Sequence, residues 1–250
     1  MKRRPRVGIF SFTSCEGCQL QIVNIMEEHL LDVVDAIELV TFREAMDPAG
    51  KDYDIAFVEG AITRESEIPV LKEIRKKADT LVAMGACATT GGVNAMKNAL
   101  SPEENLRAVY GDSAQYYDTI EARALDEVVE VDYYIRSCPM DRSEFIQVVT
   151  SILMGREPYD PNFAVCVECQ MRGNPCVYDL DTDEICLGPV TRAGCGALCP
   201  GFGSACIGCR GFIEQANFDA MIEIMKAHGM DEEEAEKRLR VFNARRRKVQ

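Results

Sequence analysis

The sequence predicts an α/β protein: a doubly wound parallel sheet, then a small irregular cysteine-rich segment, then C-terminal helices. Three observations carry that expectation. Short apolar runs such as Ile55-Ala56-Phe57-Val58 lack polar alternation, as strands buried on both faces require, and they alternate with helical patterns to about residue 155. Regular periodicity then stops where Pro158, Pro161, Pro175, Pro189 and Pro200 punctuate a stretch holding eight of the twelve cysteines. Helical spacing returns after Glu214.

Residues 7–12 read as the first strand. Leu20, Val23, Met26 and Leu30, at spacings of three and four, mark one face of the helix that follows. Residues 37–42 and 55–58 are the second and third strands, the third ending in Glu59-Gly60. Residues 68–77 are helical, and 80–84 form a fourth strand running into Gly85-Ala86-Cys87. Residues 102–109 read as a helix with Ser101 as N-cap and Glu104 in the capping-box position. Residues 128–135 are a fifth strand ending in Arg136-Ser137-Cys138-Pro139, and Asp141 caps a helix running to about Met154. Residues 214–248 read as two helices split at Gly229, with Asp231 capping the second. The last ten residues hold a basic run, Arg245-Arg246-Arg247-Lys248, cations suited to a helix C-terminus, with a docking patch as the alternative. The expected division is 1–157 for the sheet domain, 158–213 for the irregular domain and 214–250 for a helical tail.

With 250 residues, 47% of them hydrophobic, the chain can bury a sizeable core. The net charge of −13 argues against nucleic acid as a partner, since phosphate contacts need basic surface. Only His29 and His228 could serve histidine-based acid–base chemistry. No stretch is long and apolar enough to span a membrane, and Arg3-Arg4 is not followed by an apolar export segment with a cleavage site. A cytoplasmic protein is expected, in which clustered cysteines mean metal more often than disulfides.

The cysteines fall into sets. Cys15 and Cys18 follow the first strand, Cys87 the fourth and Cys138 the fifth. All four lie just beyond the carboxyl ends of parallel strands, the edge at which open α/β sheets bind ligands. Gly17, Gly85 and Gly91-Gly92 flank them, but the first turn lacks a dinucleotide fingerprint. The glycines suit close backbone approach to a metal cluster instead. The irregular segment holds Cys166, Cys169, Cys176 and Cys186, then Cys195, Cys199, Cys206 and Cys209. Zinc takes the same four-thiolate set, so zinc is the bland reading of each site alone. Three structural zinc sites would serve only architecture, whereas Cys-Pro pairs such as Cys138-Pro139 and Cys199-Pro200 occur beside iron–sulfur clusters. Iron–sulfur is therefore preferred. Twelve cysteines then make three clusters with no thiol left over, and with no evident nucleophile, base or substrate pocket the chain reads as a wire whose source and sink lie on partners. A free-standing multi-cluster electron carrier is the alternative, against which the large α/β scaffold counts.

The stretches TSCEGCQLQ, EGAIT, VAMGACATTGGV, RSCPMDR, CVECQMRGNPC and CLGPVTRAGCGALCPGFGSACIGCRG together resemble the small subunit of nickel–iron hydrogenases of the multimeric cytoplasmic type, as in sulfhydrogenase delta subunits and F420-non-reducing hydrogenase small subunits. The resemblance runs to about residue 213. It implies a flavodoxin-like domain whose Cys15, Cys18, Cys87 and Cys138 hold a proximal 4Fe-4S cluster facing the nickel–iron centre of a large subunit. It assigns Cys166, Cys169, Cys176 and Cys186 to a distal 4Fe-4S cluster, with Cys166 where membrane-bound and periplasmic relatives have histidine. Cys195, Cys199, Cys206 and Cys209 form a medial set, which many relatives reduce to three cysteines and a proline; four cysteines here imply 4Fe-4S. The second partner implied is a flavin- or iron–sulfur-containing acceptor subunit. Two departures point away from other branches: there is no export signal, and the first turn is Cys-x2-Cys where complex I relatives have adjacent cysteines. Glu16 and Glu59 are placed at the same sheet edge, to shape the cluster environment, the subunit contact, or merely the structure.

Overall fold

The computed structural model describes residues 3–180 and 184–243, without the side chains of 28–34. His29 and Leu30 therefore lie outside the described side chains, and the basic run 245–248 outside the described residues. Five parallel strands, β1 (Arg6–Ser11), β2 (Glu38–Phe42), β3 (Ile55–Glu59), β4 (Thr80–Met84) and β5 (Tyr133–Ile135), form one sheet in the order β2-β1-β3-β4-β5. The chain leaves β1 toward one edge and returns on its other side as β3. The switch point, where such sheets open a crevice, therefore lies between β1 and β3.

Strand period decides the two faces. Val7, Ile9, Ile55, Phe57, Val82 and Met84 point to one side and pack under α1 (Gly17–Ala36) and α5 (Arg142–Leu153). Ala56, Val58, Leu81 and Ala83 point to the other and pack under α2 (Glu67–Lys77) and the chain around Leu125. All five residues of β3 are buried, as the middle strand of a two-sided sheet must be.

The buried stripe of α1 differs from the expected one. Cys18, Ile22 and Ile25 are buried, Val23 and Met26 are half-buried, and Leu20 is exposed. Cys18 must face the sheet edge, so its i+4 and i+7 neighbours follow it inward and Leu20 turns out. The fifth strand is shorter than expected. Residues 125–127 form a 3-10 turn, and the Val128 and Val129 N–H groups donate to Leu125 O. Val128, Val129 and Val131 are apolar because they pack as a loop against the second core face. Asp132 anchors that loop, its carboxylate accepting from Leu81 N–H at 2.7 Å, and pairing starts one residue later at Val82–Tyr133.

Short helix α3 (Gly85–Thr90) follows β4 directly, and 3-10 turns lead to α4 (Pro102–Tyr110). Ser101 and Glu104 make the full capping box on α4, and Asp141 accepts from Glu144 N–H at the start of α5. Beyond α5 come α6 (Val165–Met171), the single turn α7 (Leu198–Gly201), α8 (Phe218–Ala227) and α9 (Glu232–Arg240). Gly229 separates the last two and Asp231 caps α9. Met221, Met225, Ala235 and Leu239 bury their faces against Ile185, Leu187 and Val190 of the irregular segment. Among the described residues, no helix is long and apolar enough to cross a membrane.

Candidate metal centres

The first cysteine set is built by three turns that touch. Cys18 is the second residue of α1 and Cys87 the third of α3. Ala86 N–H donates to Ser137 O at 2.8 Å, which ties the turn after β4 to the turn after β5. Gly85 has φ +82°, and a Cβ there would stand 2.4 Å from Cys18 Sγ. Gly17 lies against Pro139, with 3.8 Å from its virtual Cβ to the proline Cβ. Burial raises the Cys18 thiol, and Glu59, Cys87 and Cys138 add to the shift. Burial likewise pushes Cys87 up to about 12, helped by Cys138, Glu59 and Cys15, and raises Cys138, helped by Cys15 and Cys209. Cys87 and Cys138 thus lie in the field of Cys15, and Cys18 in the fields of Cys87 and Cys138.

Glu59, at the end of β3, supplies what the sequence left open. Glu16 starts α1 with its carbonyl accepting from Leu20 N–H at 3.0 Å, but its φ of 60° is left-handed. The carboxylate of Glu59 reaches across the switch point and accepts from Cys18 N–H and Gln19 N–H, each at 3.2 Å. It does for α1 what an N-cap side chain does elsewhere, and it is almost fully buried. Burial raises its pKa, and the N–H groups of Cys18 and Gln19 oppose that. Gln19 is buried beside it.

In the second set, Cys166 and Cys169 lie on α6, Cys176 precedes the turn 177–179, and Cys186 follows in extended chain. A Cβ on Gly188 would meet Cys166 Sγ at 3.3 Å and Cys186 Sγ at 3.4 Å, so both sulfurs close on that glycine. Burial pushes Cys166 up to about 11, with Cys186, Cys169 and Cys176 adding. In the third set, Cys199 lies on α7 between Cys195 and Cys206, and Cys209 follows. Burial raises Cys199, with Cys209 and Cys195 adding, and pushes Cys206 up to about 12.

The third set touches both others. Ser137 Oγ, beside Cys138, lies 3.6 Å from Cys209 Sγ. Cys206 N–H donates to Cys186 Sγ at 3.3 Å. Sequence reasoning missed Ser137, and also two amides aimed at sulfur: Asn94 Nδ2 is 3.5 Å from Cys87 Sγ, and Asn174 Nδ2 is 3.7 Å from Cys169 Sγ. Position offered a signal for Asn174, two residues before Cys176; Asn94 had none beyond its place after Gly91-Gly92.

The donors fit iron–sulfur clusters. Each set offers four thiols drawn from more than one turn, glycines close on the sulfurs of the first two sets, and N–H groups are directed at Cys87, Cys169 and Cys186. Among the described residues, no three Cys, His, Asp or Glu side chains close on one point as a single coordinated ion requires. A four-iron cluster makes a different demand, because its four thiolates spread around the cluster, each on its own iron.

A flavodoxin-like sheet whose switch-point edge is lined with thiols, joined to a second cysteine-rich segment, defines a class of redox subunit. The model of the family described as "NADH ubiquinone oxidoreductase, 20 Kd subunit" matches residues 15–152. Sulfhydrogenase 2 subunit delta of Pyrococcus furiosus is 35% identical over 238 residues, 95% of this chain and 98% of the relative. A vhu-type F420-non-reducing hydrogenase polypeptide of Methanocaldococcus jannaschii is 30% identical, over 82% of this chain and 81% of the relative. The solved structure of an NAD+-reducing [NiFe]-hydrogenase in its H2-reduced state superposes with a TM-score of 0.57 at 28% identity, covering 64% of this chain and 96% of that one. The chain belongs to this family, as a small subunit of the nickel–iron hydrogenase type. It is thus a subunit of an oxidoreductase whose catalytic centre sits on a large subunit.

Proposed function

We propose that this chain relays electrons through three 4Fe-4S clusters between the H2-activating site of a nickel–iron large subunit and a flavin- or iron–sulfur-containing acceptor subunit. Bound clusters supply one-electron acceptors and donors; the chain's part is to hold, space and insulate them. Cys15, Cys18, Cys87 and Cys138 hold the proximal one, Cys195, Cys199, Cys206 and Cys209 the medial one, and Cys166, Cys169, Cys176 and Cys186 the distal one.

One observation carries the order. The 195–209 set meets the first set through Ser137 and Cys209, and the 166–186 set through Cys206 and Cys186. A set that touches both others is the middle of a line. Each set presents one exposed thiol, Cys15, Cys199 and Cys176, so the contacts between the sets, rather than exposure, carry the order. Residues 1–157 then serve as the proximal-cluster domain, 158–213 as the two-cluster domain and 214–250 as its helical support, in a cytoplasmic complex where thiols stay reduced.

The test is metal and sulfide content of the anaerobically purified complex. About twelve irons with matching sulfide per copy of this chain, alongside a nickel-bearing partner, is the expected result. Zinc without sulfide would replace the wire with a structural zinc protein. Twelve irons on a chain that purifies alone would favour the free-standing carrier.

A further inference from the structure

Arg210 is the largest side chain buried to within 1% of full enclosure, and nothing in the proposed relay uses it. It follows Cys209 directly. Its Nη1 and Nη2 grip the carboxylate of Glu144 end-on at 2.7 and 2.9 Å, and its Nε donates to Ala193 O at 2.8 Å, two residues before Cys195. The guanidinium closes on Gly194, where a Cβ would come within 2.3 Å of Nη2. Only glycine beside Cys195 leaves room for the arginine. Glu144 belongs to the first turn of α5, six residues after Cys138.

We propose that Arg210, held by Glu144, is a positioning residue that raises the affinity of the medial cysteine set's cluster for an electron and fixes that set against the proximal one. The inference rests on the three-cluster reading. An arriving electron adds one negative charge to the set and removes none. A guanidinium cannot lose its proton here, so its charge is permanent, and in a buried site its field is poorly screened. The Nε flank and the backbone stem lie along residues 193–195 and 209, while the carboxylate sits at the far tip of the fork. The pair is therefore a dipole with its positive side toward Cys195 and Cys209. Glu168 opposes it, since its carboxylate accepts from Gly194 N–H at 2.9 Å and Ala197 N–H at 3.3 Å.

The same pair is a strut. Glu144 is tied to the turn that carries Cys138 through its N–H bond to Asp141, and Arg210 to the turn that carries Cys209. Together with the Arg136–Asp160 fork, at 2.9 and 2.7 Å, it holds the sheet domain and the cysteine-rich segment in one register.

The test is an EPR-monitored redox titration of the anaerobic complex with three variants. Glu144→Gln keeps the arginine and removes its counter-charge, so the midpoint potential of one cluster should rise. The double variant Arg210→Met with Glu144→Met removes both charges without orphaning either, and the same cluster should shift to lower potential. Arg210→Lys should stay nearer the parent. The other two clusters should move less than this one in every variant. Full iron content with no shift in Glu144→Gln, or equal shifts in all three clusters, would overturn the proposal. If the double variant fails to load iron, the sign of the Glu144→Gln shift decides alone. A parent complex without about twelve irons would instead overturn the three-cluster reading itself.

Discussion

Glu59 and Cys18, forty-one positions apart, meet at 3.2 Å where the carboxylate of one accepts the backbone N–H of the other. That bond joins the middle strand of the sheet to the first turn of α1, and through it to a candidate cluster ligand. Replacing Glu59 by alanine strands two buried N–H groups, Cys18 and Gln19, at about 1–3 kcal/mol each. The expected outcome is a lower thermal midpoint and loss of iron from the first set, with Glu59→Gln milder because one oxygen acceptor remains. A Glu59→Ala complex with parental midpoint and iron content would show that α1 does not depend on this cap.

Cys138→Ser should cost one cluster and no more. Iron should fall by about four of about twelve, with the EPR signals of the other two clusters intact. Cys176→Ser should remove a different signal. Two variants that erase the same signal would contradict the grouping.

Gly85→Ala meets both a left-handed backbone and the Cys18 sulfur 2.4 Å away. The backbone conformation alone costs an L-residue about 1–2 kcal/mol. Gly155→Ala is the control, with φ +66° and nothing within 4 Å. Iron content should drop in the first variant and hold in the second, while both keep the circular dichroism of the folded sheet.

Removing iron should melt one part of the molecule first. The cluster of buried residues around Val165 and Val177 is small and counts Cys186 and Cys206 among its members, so without metal it has little left to pack. The sheet cores rest on Val7, Ile9, Phe57, Leu81 and their neighbours. After chelation, hydrogen exchange should accelerate across 164–211 and stay slow in β1, β3 and β4. Uniform acceleration would mean that the sheet also depends on the metal.

Ser101→Ala removes the side chain that accepts from Glu104 N–H at 3.2 Å, and should cost about 1 kcal/mol in thermal unfolding. Iron content and electron transfer should not change, because α4 carries no cysteine.

Much of this fold was legible because its signals are local. Apolar runs without alternation mark β3 and β4, and Ser101, Asp141 and Asp231 announce their helices within three residues of the amide they cap. The misreadings came where a distant contact overrode a local pattern. Leu20 suits a helical stripe, but Cys18 turns α1 so that Ile22 and Ile25 go in. Val128, Val129 and Val131 suit a strand, but the turn at Leu125 and the anchor of Asp132 on Leu81 keep them a loop.

By itself, the sequence determined the thiols and their neighbours in the chain: twelve cysteines whose spacing and place after strands suggest three candidate four-thiol sets, since ligands contributed by one turn must be near neighbours in the chain. Only the tertiary structure decided which side chains join one cysteine set to the next, which carboxylate caps the first helix, and that a buried arginine bridges 66 residues to Glu144. Those relations join segments with no shared periodicity, and they exist only once the sheet and its packed helices have carried the partners together.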